Sequence, residues 1–437
     1  MPRLAALGAR ARDPELAALV TWVEQIIEHR RALEEGRMLA TFLLRELDAP
    51  LGALIDVGSS AGEADWFTYA LHRWTLTASN HLGDLVVGRS AVKQLDALTP
   101  ALAQRWEHVS LLMQGLTAQA VHYTDCFSYD EAAARMKVVA TYYRELSGLF
   151  STVMPTVFPE QIRSDARAAA VGTWVQIETY AGLRDPKRLD LARALNDEAI
   201  AELSTEDDRT RQRQYRSHVE TVAGNFAEAR EQLGRSLGLD VFTHDALGKA
   251  IVAIANPFTQ GFALLHWMRL GRAAAMFVGA EREAFLAAVT AAKIVDVSWL
   301  AGEQEDYPAH GILRQDAVVQ AIQGSIKDAI GSLTRLRRAR RGLVLSTIVL
   351  AATVEVAAIL WAKNRKDAEL LLDNKEPNRL GALQQLQALG HAAKDGVPEL
   401  WSVFAPWEAA IRGVLGDNAG QRDPRDVLIG LARVVPY

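Results

Sequence analysis

AGNFAEAREQLGRSLGL, residues 223–239, decides the fold. It runs from a turn glycine, Gly224, to a large apolar Phe226, a small Ala229, a large Leu233 and Ser236. Steps of three and four gather such residues on one face of a helix. The order recurs along the chain. NHLGDLVVGRSAVKQLDALTP (80–100) has a Gly83-Asp84 turn, then Gly88, Val92, Leu95 and Pro100. SYDEAAARMKVV (128–139) places Tyr129, Ala132, Met136 and Val139 in the same sequence of sizes. VGAEREAFLAAVTAA (278–292) aligns through Gly279, Ala284, Ala288 and Ala291, and QGSIKDAIGSLTRL (323–336) through Gly324, Ile326, Ala329, Leu333 and Leu336. KNRKDAELLL (363–372) is a fainter copy. Recurrence of one pattern means a chain assembled from one supersecondary unit.

Each copy is preceded by an amphipathic stretch, so the unit is a helical hairpin. A small residue where two helices cross lets their backbones approach, and a large one further along fills the space beyond. Elsewhere the periodicity is also helical, as at Leu16, Leu19, Val20, Val23, Ile26 and Ile27, and no run of alternating β-branched residues suggests a sheet. Residues 151–202 read as one more hairpin, degenerate, with an Asp185-Pro186 turn.

In the spacing of these residues the chain resembles the tetratricopeptide repeat family. The resemblance implies an all-α, right-handed superhelical stack of antiparallel hairpins. Residues 1–57 would be an N-terminal helical cap, 58–375 the irregular repeats and 376–437 a C-terminal cap, with helices around Leu380 to Leu389 and Leu400 to Val414. Atypical ends are what such stacks need, because a lone hairpin leaves an apolar face bare.

Composition narrows the function. Over 437 residues, 49% hydrophobic and 23% charged residues make an ordinary folded protein, and a net charge of −5 offers no global field for nucleic acid. The single cysteine, Cys126, allows no internal disulfide and suits a reducing, cytoplasmic setting. No metal or phosphate motif occurs, and no cofactor is expected. Residues 342–362, GLVLSTIVLAATVEVAAILWA, have a membrane span's length and follow the basic run Arg335 to Arg341, but Glu355 falls centrally and a hairpin helix is due there. A buried helix of the stack is the expectation.

One catalytic pattern stands out. Gly58, Ser60 and Gly62 in ALIDVGSSAGEADWF match G-x-S-x-G, the nucleophile elbow of a serine hydrolase, and the same glycines resemble a methyltransferase loop. Both need an α/β sheet that the rest of the sequence does not supply, so an inter-helix loop is expected.

In tetratricopeptide stacks the first helix of each hairpin lines a concave groove and carries the ligand contacts. Carried over with the turn glycine as reference, the resemblance places Arg73, Gln214, Arg269 and Arg314 at one equivalent position, with Trp74, Asn80, Arg211, Tyr215, His218 and His266 beside them. Repeated guanidinium groups could pair with carboxylates. The expected partner is a protein or peptide, acidic or presenting a carboxylate. A signal-sensing subunit that controls a separate effector is the alternative, and a hydrolase using Ser60 the lesser one.

Overall fold

The computed structural model describes residues 64–103, 109–153, 160–202, 206–277, 279–292, 307–338, 342–376, 380–416 and 422–436. Ser60 and the 1–57 cap lie outside them. Among the described residues the chain is helical, with no strand. It divides into two compact units, Met1–Cys126 and Phe127–Tyr437.

In the first unit α1 (Ala64–Leu82), α2 (Leu85–Ala103) and α3 (Val109–Asp125) pack against one another. The turn between α1 and α2 shows what a glycine does between two packed helices. Gly83 has φ 65°, its N–H donates to the Asn80 carbonyl and the next N–H, of Asp84, reaches back to Ser79. That closure satisfies the last carbonyls of the helix and needs a left-handed residue. The small residue is equally constrained, since a Cβ on Gly88 would lie 2.7 Å from His122 Nδ1. Pro100 sits inside α2, which runs on to Ala103 instead of stopping at the proline.

The second unit opens with α4 (Tyr129–Val153), which packs on α5 (Glu160–Gly182). Hairpins follow as adjacent pairs. They are α5 with α6 (Lys187–Glu202), α7 (Glu206–Ala223) with α8 (Phe226–Ser236), and α10 (Pro257–Phe277) with α11 (Gly279–Ala292). After them come α12 (Tyr307–Gln323) with α13 (Ile326–Arg338) and α14 (Leu343–Leu360) with α15 (Arg365–Leu372). A short α9 (His244–Val252), not foreseen from the repeat pattern, is inserted before α10 and packs chiefly on α11. The first helices form a row in which α5 meets α7, α7 meets α10, α10 meets α12 and α12 meets α14.

The turns after α7 and α12 repeat the Gly83 geometry, with Gly224 at φ 81° and Gly324 at φ 88°. At the start of the second unit the residue in this conformation is Phe127, φ 63°, where a side chain costs about 1–3 kcal/mol. Its ring is held in place by Phe404, edge to face at 5.6 Å, and by the Arg184 guanidinium at 5.3 Å. The small residues expected at the crossings, Ala132, Ala229 and Ala329, are fully buried, and so is Ala368 in the fainter copy. Ser217 on α7 donates to the Ala229 carbonyl on α8 at 2.8 Å, which ties one crossing together.

The hairpin α10–α11 departs from the expected register. Ala284 and Ala291 are exposed and the buried face of α11 is Phe285, Ala288 and Val289. The small residue that allows the crossing stands on the other helix: a Cβ on Gly271 of α10 would come within 2.0 Å of the Phe285 ring. Gly279 accordingly starts α11 with no left-handed turn.

The described residues beyond 376 form four short helices rather than the expected pair: α16 (Ala382–Ala393), α17 (Pro398–Phe404), α18 (Trp407–Leu415) and α19 (Pro424–Arg433). The last turns back along α14. Helix α14 is the one described helix long and apolar enough to cross a bilayer, and 83% of it is buried inside the protein.

Candidate functional site

Each of the ten groove residues has a definite environment. In the first unit Arg73 is 9% exposed and lies over the Trp74 ring at 4.8 Å. Asn80 Nδ2 donates to the Ala118 carbonyl at 2.9 Å, so this amide clasps α1 to α3. In the second unit α7 carries four of the ten at positions 211, 214, 215 and 218, a spacing that puts them on one face. Arg211 is exposed and Gln214 and Tyr215 are half-buried, while His218 is buried. Tyr215 lies against Gly172 of α5, where a Cβ would come within 2.4 Å of the ring.

His218 meets His266 of α10 edge to face at 5.8 Å and Tyr180 of α5 at 5.6 Å. Burial, reinforced by the Arg269 charge, pushes His266 down to about 3 and takes His218 well below its ordinary value, with Arg272 adding to the effect on His218. Both rings are neutral near pH 7.

Arg314 has an internal role that the groove expectation did not include. It is fully buried on α12. Its Nη1 donates to the Val435 carbonyl at 2.7 Å, and its Nη2 donates to the Ala432 carbonyl at 3.1 Å and to Glu355 Oε2 at 3.2 Å. The carbonyls at the C-terminal end of a helix carry the negative end of its dipole, so a cation is favoured beside Ala432 and Val435. Arg272 of α10 pairs with the other oxygen of Glu355. Burial would raise the Glu355 carboxyl, but Arg272 and Arg314 outweigh it and hold it below its ordinary value. Arg314 itself is drawn down to about 10 by burial, against the pull of Glu355 and with repulsion from Arg272 and Arg269.

Beside this cluster is a cavity of about 410 Å³. Its polar lining comes from His218 and Thr221 of α7, Arg269 and Arg272 of α10, Glu355 of α14 and Arg433 of α19. Phe226, Met276, Ile429 and Val435 contribute apolar wall. Three arginines and one glutamate line the cavity, and its one histidine, His218, is neutral near pH 7. Among the described residues no group of three His, Cys, Asp or Glu side chains converges as a metal site would.

Arg269 and His218 of this cavity belong to the expected set. Arg272, Glu355 and Arg433 were not singled out for it. A signal existed for two of them: Arg272 stands three residues after Arg269, hence on the same face, and a lone glutamate in an apolar helix demands a cationic partner. Comparison with family models, with curated proteins and with solved structures gives no match.

Proposed function

We propose that the protein is a non-catalytic, tetratricopeptide-like binding scaffold of the cytoplasm, whose row of first helices receives a segment of a protein or peptide partner. The observation that carries this reading is the stripe on α7. Arg211, Gln214, Tyr215 and His218 share one face that begins exposed and ends at a cavity lined by three arginines and one glutamate. A guanidinium, an amide and a phenol in that order suit an extended acidic segment: the first pairs with carboxylate, the second bonds backbone and the third packs. The right-handed superhelix is part of the proposal. Its support is the recurrent glycine turns and the neighbour-to-neighbour contacts of the first helices.

A photo-crosslinking residue placed at 211 and at 214, with exposed Leu191 and Val241 as controls, tests the surface. One partner captured from 211 and 214, and competed away by an acidic peptide from that partner, is the expected result. Equal capture from all four positions, or none from 211 and 214, overturns the reading. The alternative, a subunit that senses a ligand and acts on a separate effector, is favoured by the closure of the cavity against α19. It requires stabilisation by a small ligand with no protein partner present.

A further inference from the structure

Two side chains of α7 line the cavity of the second unit with bonding capacity left over. His218 is 6% exposed, yet among the described residues its ring nitrogens make no hydrogen bond; its contacts are the edge-to-face rings of Tyr180 and His266. Thr221, three residues on and therefore on the same face, gives its hydroxyl hydrogen to the Ser217 carbonyl at 2.8 Å and can only accept from the cavity. A buried polar ring without a partner is costly, so its position calls for a bound molecule. Water alone would serve the ring but would leave the apolar wall of Phe226, Met276, Ile429 and Val435 wet.

The charged lining asks for no counter-ion. Arg272 pairs with Glu355, which Arg314 also engages, and Arg269 and Arg433 have partners of their own within the chain. A carboxylate would therefore meet guanidinium groups already engaged, and a cation would meet three arginines. A hydrocarbon would leave His218 unserved. A neutral imidazole has one donor and one acceptor nitrogen, and a hydroxyl answers either while also donating to an acceptor such as Thr221. In size, about 410 Å³ lies within the range of roughly 300 to 1,000 Å³ of small-molecule sites, and an apolar cavity of roughly 150 Å³ already takes benzene, so a body of two rings fits.

We propose that this cavity binds an uncharged, ring-bearing alcohol or phenol, its hydroxyl bonded to His218 and Thr221 and its body packed on Phe226, Met276 and Val435. Phenylalanine and methionine are suited to such a body, since rings stack on one and meet the sulfur of the other. Ile429 of α19 and Val435 after it form part of the wall, so the ligand touches both α7 and α19 and favours the docked state of α19. The site stands apart from the exposed end of the α7 stripe, and the inference does not rest on the partner-binding proposal.

The test uses the full chain and one ring system throughout. 2-Naphthol and 2-naphthalenemethanol carry the hydroxyl, naphthalene lacks it, and 2-naphthoate and 2-naphthylmethylamine carry a negative and a positive charge. Saturable one-to-one binding of at least one hydroxyl compound is expected, about tenfold or more tighter than naphthalene and than either charged compound, with slower amide exchange over residues 424–433. His218→Phe keeps a ring and removes both nitrogens. It should bring the affinity for the hydroxyl compound down to that for naphthalene, which itself changes by no more than about twofold. Met276→Trp fills the cavity without altering charge and should abolish binding of all five, with circular dichroism confirming that both variants fold; should either fail to fold, the five compounds on the unaltered chain decide. No saturable binding of either hydroxyl compound overturns the proposal. So does naphthalene or 2-naphthoate binding as tightly as 2-naphthol, or hydroxyl-compound binding that His218→Phe or Met276→Trp leaves unchanged.

Discussion

Helices α7 and α12 hold the same place in their hairpins, each ending in a left-handed glycine turn, yet they have opposite surroundings. On α7 the residues expected to meet a ligand are accessible at one end, with Arg211 exposed and Gln214 and Tyr215 half-buried. On α12 every residue from His310 to Ile322 is buried, and Arg314 is wholly enclosed. The difference is what lies over them: Arg314 meets the end of α19 and Glu355 of α14. A place in a hairpin dictates where a side chain points, and the elements packed over the hairpin dictate whether it meets solvent, a ligand or its own chain.

The largest expected effect comes from the enclosed end. Glu355→Gln leaves Arg272 and Arg314 without their counter-charge inside the protein and should cost about 3–5 kcal/mol in chemical denaturation, because desolvated cations lose their compensation. A cost below about 1 kcal/mol would mean that water reaches the cluster, and the contrast with α7 would disappear.

Next is the pH response of the histidines between α7 and α10. His266 titrates at about 3 when folded, below its unfolded value near 6.5, so the unfolded chain binds more protons as pH falls. Its contribution is fully present above about pH 6.5 and is lost as pH drops, on the order of 2 kcal/mol by pH 5. His218 acts in the same direction. Denaturation curves at pH 7 and pH 5 measure the loss, and His266→Gln should flatten it. An unchanged slope would show that these rings accept protons in the folded state.

The smallest effect belongs to the open end. Arg211→Ala should change stability by no more than about 0.5 kcal/mol, as exposed substitutions do. A larger loss would place Arg211 in a structural cluster like that of Arg314 and remove the basis for reading α7 as the open surface.

Most hairpins were legible because their requirements are local. A left-handed turn needs glycine, as at Gly83, Gly224 and Gly324, and a close crossing needs a small residue, as at Gly88, Ala229 and Ala329. The α10–α11 hairpin was misregistered because the crossing rule does not say which helix supplies the small residue. Gly271 supplies it there, and Phe285 takes the space. The turn at Phe127 could be placed from its neighbours, but an aromatic residue in a left-handed conformation is stabilised by Phe404 and Arg184, far along the chain or on another helix. The site was legible only as a set of positions. Arg314 alone of them is seen to bond the end of α19, whose buried Leu428 and Ala432 bear no relation to the pattern read in the earlier hairpins.

The burial of α14 has a consequence for how the chain is made. Arg272 and Arg314 leave the ribosome before Glu355, so the counter-charges for the one acidic residue of this apolar helix are present when it emerges. Helix α19 is synthesised last of the described elements, and until then the apolar flank it will cover on α14 is bare. Since chains fold from the N-terminal side during synthesis and exposed apolar surface drives association, this interval is when the nascent protein is most exposed to chaperones, to membranes and to its own copies.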